Sequence, residues 1–271
     1  MNKETLKKIF LPLIVLVLII QVWIGVAAVV EDFPTPSSTY TAAFGGVNAD
    51  GDDIEGSLAD PFYIENQDDK GVFWQIMASL QRVFGGFALA IIVGVPVGLF
   101  IGMSKNAQYA LDPFIQIFKP VSPLAWLPLL LFIFKDINAT AISTIFITSI
   151  WPIIINTALG VRSVNEDYMN VAKVLRFTAF EKVMQIILPV AVPFIFTGMR
   201  LSLGIAWLVI VAAEMLTGGI GIGFWIWDEY NNLNYENIII GIILVGFVGF
   251  LLDLVMGKIA DYFDYTKKGR A

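Results

Sequence analysis

The stretch NVAKVLRFTAFEKVMQIILP, residues 170–189, is the most informative part of this sequence. It is polar and basic, it follows the apolar segment Ala139–Leu159, and it ends where the apolar segment Ile186–Ala213 begins. Apolar residues recur in it at helical spacing, which predicts a short amphipathic helix. Such a helix buries its apolar face against a partner protein or lies on a membrane surface. The stretch therefore predicts either a docking helix or an interfacial helix between two membrane spans.

The composition is typical of a membrane protein. The 271 residues are 57% hydrophobic and 15% charged, with a mean hydropathy of +0.76. Continuous apolar runs of about 20 residues indicate membrane spans. The chain has no Cys and no His, which excludes disulfides, a Ser–His triad and most zinc sites. No G-x-x-x-x-G-K-[ST] motif occurs, so an ATP-driven process would need another subunit to bind the ATP.

The apolar segments predict an all-α membrane protein with about six transmembrane helices. These spans are predicted at Ile9–Val30, Phe84–Met103, Leu111–Phe134, Ala139–Leu159, Ile186–Ala213 and Ile238–Ala260. The predicted regions are an N-terminal helix with an acidic outer loop (1–72), a core of the remaining spans (73–260) that contains the loop 161–187, and a basic tail (261–271). The first apolar run, of about 22 residues, exceeds the roughly 7–15 residues of a signal-peptide core, which favours a retained span over a cleaved signal.

The distribution of basic residues predicts the orientation of these spans. Six spans place both termini on one side, where most Lys and Arg residues fall: Lys3, Lys7, Lys8, Lys105, Arg162, Lys173, Arg176, Lys182, Lys267, Lys268 and Arg270. The opposite side has mainly Lys70, Lys135 and Arg82. By the positive-inside rule, both termini and the loop 161–187 are predicted to be cytoplasmic.

Glycines and prolines predict close helix packing and one irregular span. Gly94, Gly98 and Gly102 fall on one helical face, where two helices can approach closely. The segment Leu111–Phe134 contains the prolines Pro113, Pro120, Pro123 and Pro128, which argue against a straight helix. Both a kinked span and a cavity-lining broken segment fit this pattern.

The cytoplasmic loop resembles the "EAA" loop of ABC importer permeases, which docks onto the ATPase. That loop reads E-A-A, three residues, Gly, nine residues, Ile-x-Leu-Pro. Ala172 takes the last Ala position, and residues 186–189 fit the end of the motif. Asn170 and Val171 depart from the Glu and the first Ala, and Arg176 stands in the Gly position.

Other segments resemble permeases of the nitrate/sulfonate/taurine type. They are Ser79–Val83, Pro120–Leu129, Ile195–Trp207 and Val211–Met215. Residues 221–228 are similar to the nitrate, cyanate and bicarbonate branch, which often lacks the loop Gly.

The resemblance implies a type I ABC importer permease fold, a location in a bacterial or archaeal inner membrane and a set of partners. These are a second copy of the chain, two cytoplasmic ATPase subunits that bind ATP and Mg²⁺, an extracytoplasmic substrate-binding protein and membrane lipid, with no nucleic acid. It implies import of a small inorganic anion, nitrate or nitrite first, with bicarbonate, cyanate or an organosulfonate as alternatives. No catalytic, cofactor or metal site is expected in this chain. The expected ATPase-coupling residues are Asn170, Val171, Ala172, Val174, Leu175 and Arg176.

The fifth predicted span carries the leading candidates for the translocation pathway. Arg200, Gly204, Trp207 and Glu214 recur at helical spacing on one face, and Trp126 in the Pro-rich segment is a further candidate. Arg200 and Glu214 are about 21 Å apart along the helix and cannot pair within it. Arg200 either attracts an anion or forms a structural pair with Asp253 or backbone carbonyls. Gly198, Ser202 and Ala206 form a separate small-residue packing face.

Two outer segments allow two interpretations each. The acidic segment Glu31–Gly71 is either a solvated loop or a docking surface for the binding protein. The Gly-rich and aromatic segment 218–228 is either a tight turn with an interfacial aromatic belt or an outer gate. A stand-alone channel or secondary carrier is the alternative class, although no internal repeat is visible. A membrane enzyme has little support, because no paired carboxylates occur inside the spans.

Overall fold

The computed structural model describes residues 3–47, 53–64 and 70–263. Part of the acidic segment Glu31–Gly71 lies outside these ranges, as do three basic residues of the tail that bear on the predicted orientation: Lys267, Lys268 and Arg270. The described chain is almost entirely helical, apart from a short antiparallel pair of strands, β1 (Gly46–Val47) and β2 (Asp53–Ile54), in which Gly46 faces Ile54.

The helices follow in this order: α1 (Lys3–Ala27), α2 (Pro36–Phe44), α3 (Val72–Met103), α4 (Lys105–Phe118), α5 (Pro123–Phe134), α6 (Ile137–Arg162), α7 (Glu166–Val174), α8 (Ala179–Lys182), α9 (Leu188–Thr217), α10 (Ile222–Asn231) and α11 (Tyr235–Phe263). A π-helical turn, Val183–Ile187, joins α8 to α9. Side chains at several N-termini accept backbone N–H groups; for example, Asp136 accepts the N–H of Ala139 at 2.7 Å and so caps α6.

The chain forms two compact units. One comprises the described residues of Met1–Gln75 and Trp225–Leu244, and the other those of Ile76–Phe224 and Val245–Ala271. The first unit holds α1, α2 and the strand pair, and the second holds α4 to α9. The division into 1–72, 73–260 and 261–271 that the sequence predicts stays a prediction.

Five helices of the described chain are long and apolar enough to cross a membrane, and a bent pair makes a sixth. This confirms an all-α protein with about six spans. The pair is α4 and α5, which meet at 95° where the prolines cluster. The predicted break at the Pro-rich segment is therefore present. Helix α3, at 32 residues, is about 48 Å long and exceeds the hydrocarbon core of about 30 Å.

Small residues bring α3, α6 and α9 into close contact. A Cβ atom on Gly98 would lie 2.6 Å from Cβ of Thr157, and one on Gly102 would lie 2.5 Å from Cβ of Val161. The predicted glycine face of α3 is thus confirmed as the surface that packs against α6. On the other side of α6, the Ser202 hydroxyl donates to the Ser149 carbonyl at 2.5 Å. Interhelical contacts of this kind replace the hydrophobic driving force that lipid cannot supply.

Candidate functional site

The loop 161–187 forms two short helices, α7 and α8, instead of one continuous helix. Asn165 caps α7, and Thr178 and Glu181 form a reciprocal capping box at α8. The inner side of the loop is anchored, because Val164, Met169 and Val183 pack against a buried apolar cluster at the adjoining ends of α6 and α9: Val161, Ile187, Ala191 and Ile195. The loop is therefore a folded extension of the membrane helices.

Arg176 ends the first loop helix in a left-handed backbone conformation, with φ of +55°. The N–H of Phe177 donates to the carbonyl of Ala172 at 2.9 Å, and the N–H of Arg176 donates to Lys173 at 3.1 Å. This pair of bonds is the Schellman arrangement, whose left-handed position is usually Gly. The structure thus explains why the related loops carry Gly where this chain has Arg176.

Arg176→Gly is expected to tighten this helix end. A residue with a Cβ atom in the left-handed region costs about 1–2 kcal/mol, and the extra freedom of unfolded Gly offsets part of the gain. The free energy of local opening at this helix end should rise by about 0.5–1 kcal/mol. Hydrogen exchange of the Phe177 amide should therefore slow about two- to fivefold. Lys173→Gly, an exposed helical position in the same loop, is the control and should accelerate exchange. Faster exchange in Arg176→Gly would contradict this account.

The outer side of the loop exposes large apolar side chains. The exposed fractions are 54% for Val171, 82% for Val174, 60% for Leu175 and 69% for Phe180, whereas Ala172 is fully buried. We call Val171, Val174 and Leu175 the loop face. A contiguous exposed apolar face is typical of an interaction surface. The structure therefore leaves this face open to a partner or to lipid.

Arg200 forms a two-pronged ion pair with Asp253 of α11. Its Nε donates to Oδ1 at 2.6 Å and its Nη2 donates to Oδ2 at 2.5 Å. The pairing with Asp253 that the sequence allowed is thus present. Asp253 occupies Nε and Nη2, so the pair leaves the Nη1 edge of the guanidinium unused.

The Arg200–Asp253 pair lies within two candidate membrane spans, and yet both of its side chains are exposed. Arg200 is about 18 Å along α9 from Leu188, and Asp253 is about 15 Å along α11 from Phe263, so both lie well inside helices that are candidate membrane spans. Their side chains are 47% and 54% exposed. Charged groups at this depth face protein or water and not lipid. This side of α9 and α11 is therefore not a lipid-facing surface.

A cavity of about 830 Å³ opens beside the pair. Gly204, Leu201, Ile205 and Leu208 of α9 line it, together with Pro123 of α5. Its charged lining residues are Arg200, Asp253 and Asp261, one guanidinium and two carboxylates. The cavity does not attract anions by its summed charge, and Arg200 is the cationic residue among those that line it.

The other pathway candidates lie elsewhere. Trp207 is buried and its Nε1 donates to the Val245 carbonyl at 2.9 Å. Trp126 is half-buried and contacts the Phe118 ring. Neither is among the residues that line the cavity.

Glu214 is fully buried near the end of α9, away from the cavity. It forms an ion pair with Arg82 at 2.6 Å and accepts the Ser79 hydroxyl at 2.8 and 2.9 Å. The sequence reasoning missed these two partners. The available signal was that Arg82 and Glu214 are opposite charges near the outer ends of two predicted spans, and buried charges require partners.

Residues 94–267 match the family described as "Binding-protein-dependent transport system inner membrane component". The chain belongs to this family. The permease is 52% identical over 204 residues to the nitrate import permease protein NrtB of Leptolyngbya laminosa, covering 75% of this chain and 73% of that protein. It is 47% identical over 194 residues to the bicarbonate transport system permease protein CmpB of Synechococcus elongatus, covering 71% and 70%.

Solved permease structures share the fold. The MetNI methionine ABC transporter in an inward-facing conformation matches with a TM-score of 0.60 at 15% identity, over 71% of this chain and 95% of that chain. An amino acid ABC transporter crystallised with histidines matches with a TM-score of 0.53 at 20% identity, over 70% and 91%. The permease therefore has the type I ABC importer fold, as the resemblance implied.

Proposed function

We propose that this permease is the membrane-spanning subunit of an ATP-driven importer of nitrate or nitrite. The observation that carries this proposal is the 52% identity to a nitrate import permease over three quarters of the chain. In this proposal two copies form the transmembrane pathway, two ATPase subunits bind ATP and Mg²⁺ in the cytoplasm, and an extracytoplasmic protein delivers the anion. Both termini lie in the cytoplasm, in accord with the positive-inside distribution of Lys and Arg.

The loop residues Asn170–Arg176 are proposed to dock onto the ATPase. An amphipathic helix laid in a groove is a common mode of protein recognition, and the loop face supplies the apolar anchors. Because the inner side of the loop packs on the cytoplasmic ends of α6 and α9, a displacement of the loop would move both helices. Rigid-body motion of this kind is a frequent basis of switching transitions.

Arg200 is proposed to contact the anion in transit, with Gly204 beside it on the pathway. An open ion pair at membrane depth requires water or protein around it, and a pathway between two copies supplies both. Asp253 already neutralises Arg200, so an anion at the Nη1 edge would bind weakly. Weak binding suits transport, because a substrate must leave the site as readily as it arrives.

Trp207 and Glu214 are both buried, and we propose that they hold the helices around the pathway in place. Trp207 stands over Gly249, where an added Cβ atom would lie 3.0 Å from Cδ1 of the indole, so the ring fixes α9 against α11. Trp126 follows Pro123, which lines the cavity, and is proposed to orient α5 beside it.

Bicarbonate is the second candidate substrate, because the permease is also 47% identical to a bicarbonate transport permease. Nitrate and bicarbonate are both small, planar monoanions, so a single guanidinium edge distinguishes them poorly. We therefore expect discrimination to reside mainly in the binding protein. Calorimetric titration of that protein with nitrate, nitrite, bicarbonate and taurine tests the proposal: tight binding of nitrate supports it, and binding of taurine or bicarbonate alone contradicts it.

A further inference from the structure

The buried carboxylate of Glu214 holds the turn that follows α9. This turn, residues 218–223, includes the first two residues of α10. Gly223 donates its N–H to Glu214 Oε2 at 3.1 Å, and Ile222 donates its N–H to the Ser79 hydroxyl at 3.0 Å. The Ser79 hydroxyl in turn donates to the carboxylate. The backbone of this turn is thus bonded to side chains of α3 and α9.

Arg82 joins the same turn to a third helix. Its Nη1 donates to Glu214 Oε1 and to the Ile220 carbonyl, each at 2.6 Å, and its Nε donates to Oδ1 of Asn138 at 2.8 Å. Only the planar fork of a guanidinium presents donors in these separate directions. Arg82 therefore links α3, the start of α6, the end of α9 and the turn.

The turn has no room to shift against α9. Gly218 and Gly219 have φ of +77° and +85°, a conformation that reverses the chain. A Cβ atom on Gly221 would overlap the Glu214 carboxylate, and one on Gly223 would overlap the Val211 carbonyl. The turn is packed directly onto the polar network and onto the backbone of α9.

Helix α9 connects this network to the cytoplasmic loop. It runs without interruption from Leu188 to Thr217, about 45 Å, and its first turns pack in the cluster that anchors the loop. A buried ion pair is weak support for stability, because desolvation offsets the Coulomb attraction. What Arg82 and Glu214 supply here is a fixed position for the turn.

We propose that Ser79, Arg82 and Glu214 are positioning residues for transport, which fix the turn 218–223 to α9 so that the two move together. The network thereby carries motion of the cytoplasmic loop to the opposite end of α9. The inference rests on the proposed function for the source of that motion.

Arg82→Lys tests the proposal in the assembled complex. A lysine keeps the positive charge beside Glu214, but its single ammonium cannot reach the acceptors of Asn138 and Ile220 at the same time. The Ile222 and Gly223 amides should exchange about tenfold faster, corresponding to about 1.4 kcal/mol of local protection. Nitrate moved per ATP hydrolysed should fall about tenfold as well, at an unchanged thermal midpoint of the complex.

Two further variants make the result specific. Ser79→Ala leaves the ion pair in place and frees the Ile222 amide, so it should accelerate exchange at the turn even if Arg82→Lys does not fold. Arg200→Lys makes the same substitution in the other ion pair, which has no contact with the turn, and exchange at the turn should not change.

Two results would overturn the inference. One is unchanged exchange at Ile222 and Gly223 in both Arg82→Lys and Ser79→Ala. The other is accelerated exchange with wild-type nitrate uptake per ATP, since the network would then hold the turn although transport does not depend on it. A wild-type complex that moves no nitrate contradicts the proposed function instead, and the exchange rates still decide whether the network holds the turn.

Discussion

Replacing Val171, Val174 and Leu175 together with Glu is expected to detach the ATPase subunits from the permease. Burying an apolar side chain of this size contributes about 1.5–3 kcal/mol, and a buried unpaired carboxylate is costly. Even half of the lower sum for three residues, about 2.2 kcal/mol, corresponds to about 40-fold weaker association. Co-purification of the ATPase with the tagged permease should fall accordingly, while insertion in the membrane stays at the wild-type level, because these side chains are exposed.

The chain offers a matched control for this variant. Val29, Val47 and Leu233 are also two valines and one leucine, and they are 86%, 61% and 67% exposed. Val29 follows the end of α1, and Val47 and Leu233 lie in segments predicted on the opposite side of the membrane. Glu at these positions should leave ATPase association unchanged. Wild-type ATPase association of the loop-face variant would show that the loop face does not bind the ATPase, and the coupling role would be wrong.

Arg200→Gln combined with Asp253→Asn is expected to abolish most nitrate uptake without loss of assembly. The double variant replaces the ion pair with two amides that can still bond to each other, so no charge is left alone at membrane depth. A cation–anion contact near 4 Å is worth about 4 kcal/mol at an effective dielectric constant of about 20. If a third of that energy stabilises the anion in transit, its loss should lower the initial rate of uptake about tenfold.

The structural alternative for Arg200 has a different outcome. If Arg200 only joins α9 to α11, the double variant should assemble and transport like the wild type, whereas Arg200→Lys alone should lower expression of the complex. Lys258→Gln is the control for lost positive charge, because Lys258 is an exposed residue of α11 that lies outside the pair and the cavity lining. It should leave uptake unchanged.

Much of the fold follows from local sequence pattern. Apolar runs of span length are required by the bilayer and are visible without any tertiary information. The stripe of Gly98 and Gly102 was interpretable because close helix approach excludes Cβ atoms wherever it occurs. The break between α4 and α5 follows from prolines that cannot continue a helix.

The polar pairs did not follow from pattern. Glu214 and Arg82 are 132 residues apart, and their pairing depends on how α3 packs against α9. Trp207 and Glu214 shared a predicted helical face with Arg200, but the structure buries both. The Val245 carbonyl accepts the Trp207 N–H, and the Ser79 hydroxyl donates to the Glu214 carboxylate. Helical spacing identifies which residues share a face and not which neighbour covers each part of it.

The end of α7 before Arg176 was also not predicted from the sequence. The amphipathic pattern extends to Phe180, which favoured one helix across the loop. The Schellman bonds at Ala172 and Lys173 end α7 earlier and place a non-glycine residue in the left-handed region. Without Gly at position 176, the available signal was Thr178 with Glu181, a capping-box spacing that indicates a new helix start.

The most direct test of the account is nitrate uptake by vesicles that contain the permease, its ATPase subunits and the binding protein. The initial rate is measured with isotopically labelled nitrate, in the presence of ATP or of a non-hydrolysable analogue. The account predicts uptake against a gradient that requires both ATP hydrolysis and the binding protein. Nitrate flux that proceeds at the same rate with the analogue, and only down its gradient, would identify a channel or carrier and contradict an energy-coupled permease.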